Sequence, residues 1–162
     1  MTSRRRCVPG SGAKVYDGID TSSFKFDLEK KTLTLKCAQP LAQCTAKVSG
    51  SLSLVLDATD KANTQEFLSR ENDTLGTIRV KKGIFKIGKD ASFPCVPEMT
   101  VDADGTLAIG DTVVNPFGGD PSLVLNLAAK ECLVVPTSAS LTVRQMFING
   151  SKISQSQIPT LF

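Results

Sequence analysis

From about residue 24 onward, apolar and polar residues alternate with a period of two, which is the signature of half-buried strands. Phe24, Phe26 and Leu28 alternate with Lys25 and Asp27. The charged turn Glu29-Lys30-Lys31 follows, and Leu33 and Leu35 then alternate with Thr34 and Lys36. This predicts a hairpin with one buried face. Leu52, Leu54 and Leu56 mark a further strand. Ile78 and Val80 lead through Lys81-Lys82-Gly83 into a run from Ile84 to Ile87, which reads as a second hairpin. Met99 and Val101 pass through Asp102-Ala103-Asp104-Gly105 to Leu107 and Ile109, and the Asp-Gly step favours a tight reversal because both residues tolerate positive φ. Leu123, Leu125 and Leu127 alternate, Leu133 to Val135 return, and Leu141 and Val143 open the last long strand before Asn149-Gly150 and Ile153.

Residues 63–70 break the alternation. Asn63 with Glu66 three positions on has the spacing of a capping box, followed by Phe67-Leu68, so the pattern predicts one short helix there. The fold class that follows is all-β: a sandwich or barrel-like arrangement, with a jelly-roll among the options, of about eight to twelve short strands and one short helix. Three places share an apolar residue, an Asp or Asn, a turn, and then Thr or Cys, Leu, any residue and an apolar residue. They are Phe26-Asp27 with Thr32 to Leu35, Val101-Asp102 with Thr106 to Ile109, and Leu125-Asn126 with Cys132 to Val135. Their turns differ in length, which fits amphipathic hairpins in general better than a repeat array.

Residues 1–13 carry no periodicity and predict a flexible basic arm ahead of a single β-rich domain over residues 14–162. Arg4, Arg5 and Arg6 hold the whole charge excess. Setting those three aside from the 19 basic residues leaves the remainder in balance with 16 acidic ones. A neutral body with a basic arm is a weak footprint for nucleic-acid recognition over a folded face, though the arm itself suits phosphate or an acidic partner surface. At 41% hydrophobic and 22% charged residues the composition is that of a globular protein. No signal peptide is expected from the N-terminal sequence, and no apolar run is long enough to predict a membrane span.

The chemistry is thin. The chain has no histidine, which removes the commonest general base near neutral pH and every Ser-His or Cys-His nucleophile pair. No phosphate-cradling loop is present, and no cofactor or metal is called for. Carboxylates are the surviving route: Asp102, Asp104, Asp111 and Asp120 offer an acid/base pair, or a calcium- or sugar-binding set in a lectin-like module. Five cysteines at irregular spacing do not resemble a secreted disulfide framework, although Cys37 and Cys44 flank Ala38-Gln39-Pro40 and are candidates to pair. Asn72-Asp73-Thr74 and Asn149-Gly150-Ser151 match the glycan-acceptor pattern. Phe117 lies between two prolines and two glycines, in a loop suited to presenting an exposed anchor, and Leu161 and Phe162 end the chain in apolar residues.

The stretch Leu141-Thr142-Val143-Arg144-Gln145-Met146-Phe147-Ile148, the turn Asn149-Gly150, and Ser151-Lys152-Ile153-Ser154 together resemble the β segments of virus and phage fibre or decoration proteins. The resemblance covers fewer than twenty residues, its motif is unspecific, and no catalytic or ligand residue carries over from it. With the arm and the β-rich body, it implies a non-enzymatic structural or assembly protein. The expected form is a virion component such as a minor capsid, cement or fibre-type subunit, found in the virion or in the host cytoplasm before assembly. Its expected partners are other protein subunits, copies of itself or capsid proteins, with nucleic acid as a further contact of the arm. The candidate partner-binding residues are Arg4, Arg5, Arg6, Phe117, Leu161 and Phe162.

Overall fold

The structure is a computed structural model and describes residues 24–27, 29, 31–45, 47–48, 50–70, 72 and 76–154. Its strands are β1 (Phe24–Asp27), β2 (Thr32–Leu35), β3 (Leu41–Cys44), β4 (Ser53–Asp57), β5 (Thr64–Phe67), β6 (Ile78–Ile87), β7 (Glu98–Ile109), β8 (Val124–Leu127), β9 (Leu133–Val134), β10 (Gln145–Ile148) and β11 (Ser151–Ile153). The chain is nearly all-β, as the alternation implies, with 46% strand and 3% helix. These strands form a parallel β-solenoid of about five turns and not a sandwich or barrel.

The solenoid follows from where each strand finds its partner. Leu33, Leu54, Ile78, Met99, Leu125 and Met146 are register neighbours along one face, here called face A. The steps between them are 21 (33 to 54), 24 (54 to 78), 21 (78 to 99), 26 (99 to 125) and 21 (125 to 146) residues. On face B, Ala42, Gln65, Phe85, Leu107 and Leu133 form the equivalent column, and Cys44, Phe67, Ile87 and Ile109 form a second. A third side is held by isolated backbone bonds, such as Asn72 N to Ser92 O (2.9 Å), Phe93 N to Pro116 O (2.7 Å) and Ser140 N to Val113 O (2.9 Å). Inward side chains from all three sides fill one narrow core, in which Leu33, Val80, Phe85, Ile87, Phe93, Met99, Leu107, Leu123 and Leu125 are fully buried. Phe67 stacks on Phe85 with ring centroids 4.6 Å apart and meets Phe93 edge-on at 5.4 Å. Burying each such side chain contributes about 1.5–3 kcal/mol.

Two expected hairpins are absent, and for one reason. β6 and β7 each run on past the segments that look like reversals, Lys81-Lys82-Gly83 and Asp102-Ala103-Asp104-Gly105. The chain bends there from face A to face B and continues. Its partner is the strand one turn on, with a register slip between Val80 and Lys82. Glycine is required at the bend: a Cβ on Gly105 would lie 2.4 Å from the Val80 carbonyl oxygen, and Gly83 has φ +103° with the Ala58 Cβ 2.6 Å from where its own would stand.

The expected helix over residues 63–70 is also absent. Thr64–Phe67 is β5, paired in parallel with β3 and β6. Asn63 is a corner residue instead of a helix cap. Its Nδ2 donates to the Cys37 carbonyl (3.1 Å) and the Thr59 hydroxyl (3.1 Å). The only described helix is the single 3-10 turn Lys130–Cys132. Both ends of face A close with antiparallel hairpins, β1 on β2 and β11 on β10. The second uses Asn149 (φ +49°) and Gly150 (φ +79°), the positive-φ pair of a tight two-residue hairpin turn.

Candidate binding surface

Of the residues singled out from sequence, Arg4, Arg5, Arg6, Leu161 and Phe162 lie outside the described residues. Phe117 does not stand exposed. It is 1% accessible, in the core, because the turn closed by Gly118 N to Asn115 O (2.9 Å) and the Phe93 to Pro116 backbone bond draw its ring inward. The neighbouring Val114, not Phe117, is the large hydrophobic exposed there.

The carboxylates do not converge. Asp102 lies on β7 at the bend between faces A and B, where Arg79 Nη2 meets its Oδ2 at 2.9 Å. Asp104 is exposed two residues on. Asp111 lies beyond the far end of face B, where Ser138 Oγ approaches its Oδ1 at 3.4 Å, and Asp120 is in the loop that follows. Among the described residues no group of three or more His, Cys, Asp or Glu side chains gathers as a metal site. Cys37 and Cys44 are both buried and no disulfide joins them, so the candidate pairing is not formed; Cys37 Sγ faces the Thr64 carbonyl (3.5 Å). Asn72 is fully buried. Its Nδ2 donates to Ser69 O (2.8 Å) and Ser92 O (3.1 Å), and its Oδ1 accepts from Val48 N (2.9 Å). It ties three successive turns together and presents no free amide to a glycan donor.

The outer surfaces of the solenoid differ in kind. The ridge between faces A and B is charged. Asp57, Lys82 and Asp104 are register neighbours along it, and Lys36 Nζ reaches Asp57 Oδ2 at 2.6 Å. The hydrogen bond from Lys36 holds the Asp57 carboxyl below its ordinary value; partial burial opposes this, and the charges of Lys36, Lys81 and Lys82 add to the lowering.

Face B is different. Its first outward column is Leu41, Thr64, Ile84 and Thr106, and its second is Gln43, Glu66, Lys86, Ala108 and Val134. The polar part of the second column is self-contained: Gln43 Nε2 donates to Glu66 Oε1 at 2.8 Å, and Lys86 Nζ lies 3.2 Å from Glu66 Oε2. Beside that triad runs an open groove of about 490 Å³, with Leu41, Ile84, Ala108, Val134 and Pro136 as its main apolar lining and Lys86 and Asp111 as its charged groups. Leu41 and Val134 are each 51% accessible, so two of the three large exposed hydrophobics among the described residues lie here. Parallel sheets in proteins are normally covered on both faces, which makes an apolar outer face unusual. The sequence did hold a signal for it. Ile84-Phe85 and Leu133-Val134-Val135 are apolar in both phases of the alternation, so one phase must face outward.

The chain matches no known protein-family model, no curated protein and no solved structure. Among the described residues no helix is long and apolar enough to cross a membrane.

Proposed function

We propose that this protein is a non-enzymatic structural or assembly protein that makes its contacts through the outer side of face B. The observation that carries this is the apolar groove across a parallel sheet, with Leu41 and Val134 half exposed and Ile84 between them. The lack of histidine in the sequence supports the non-enzymatic half. The dispersal of Asp102, Asp104 and Asp111 along β7 and beyond leaves carboxylate chemistry without a shared centre. A solenoid suits such a role, because stacked turns present a long lateral surface on a rigid backbone. The narrower form of the proposal, a virion subunit of the minor capsid, cement or fibre type, rests on the resemblance of residues 141–154 taken with the basic sequence Arg4-Arg5-Arg6 and the β-rich body.

The test is the native mass of the full-length chain in an extract of its own source, compared with a Leu41→Lys, Val134→Lys double variant. Both substitutions are at exposed positions and should leave the melting temperature unchanged. Wild type is expected in an assembly of defined mass, and the variant as free chain. Free chain in both would remove the proposal.

A further inference from the structure

We draw no further inference here: the strongest candidate, the apolar groove across the outer side of face B, belongs to the surface already described, its cation Lys86 is already paired with Glu66 on the same face, and nothing in the structure shows what covers it.

Discussion

Single residues fix the solenoid where its turns come closest. Gly105 has no room for a methyl group, because the Val80 carbonyl oxygen of the turn below is in the way. Gly105→Ala is expected to cost about 1–3 kcal/mol in urea unfolding, the usual range for overpacking. Gly119→Ala, with nothing within 4 Å of its Cβ, serves as the control and should stay within about 0.5 kcal/mol of wild type. Asn72→Ala removes hydrogen bonds to Val48, Ser69 and Ser92 from a fully buried site. A loss of about 2–4 kcal/mol is expected in the same assay. Asp57 makes the charged ridge sensitive to pH. Its folded pKa lies below the unfolded value of 3.8, so its contribution is present above that value and is lost as pH falls through the folded pKa. Asp57→Asn should lower stability near neutral pH by less than about 1 kcal/mol, since the pair is half exposed. The difference between variant and wild type should vanish in acid and shrink in high salt.

At the scale of elements, the decisive quantity is how far along the chain a strand's partner lies. The hairpins β1–β2 and β10–β11 were legible because their partners are local: Phe26 pairs with Leu33, and Ile148 with Ser151 across Asn149-Gly150. β6 and β7 were misread because a period of two reports which residues face inward and is silent about direction. Lys81-Lys82-Gly83 bends the strand instead of reversing it, and the partner of Ile84 is Thr106. β5 was misread as helix because its inward Gln65 and its Glu66 are both buried polar residues, so alternation fails in that segment. The similarity between Thr106 to Ile109 and Cys132 to Val135 was real repetition: Leu107 stacks on Leu133 and Ala108 on Val134. Unequal steps of 21 to 26 residues hid it, since the excess is absorbed in loops such as the one holding Asp111 to Asp120. Loop and strand should therefore tolerate insertion differently. Two residues added between Gly118 and Gly119 should shift the melting temperature little. One residue added after Thr100 turns the rest of that strand inside out and should cost about 3 kcal/mol or more, read by circular dichroism.

Taken whole, the molecule is a column of turns in which each contacts chiefly its neighbours, so its core is one continuous stack and its function has to lie on the outside. That is why the candidate surface was largely illegible. Leu41, Ile84, Ala108 and Val134 are spread over more than ninety positions of sequence, and only the parallel register gathers them. Phe117, conspicuous between prolines and glycines, turned out to be core. Everything above depends on the parallel stacking, and one measurement addresses it directly. Nitroxide labels at Thr34 paired in turn with Thr100, Asn126 and Phe147, all in one outward column of face A, can be placed in a background lacking the native cysteines. Strand spacing of about 4.8 Å sets backbone separations of about 14, 19 and 24 Å at three, four and five turns. Pulsed electron resonance should return distances that lengthen by one constant step from pair to pair. Distances that fail to increase in that order would mean that these strands are not stacked in parallel, and that a sandwich of local hairpins is the better description after all.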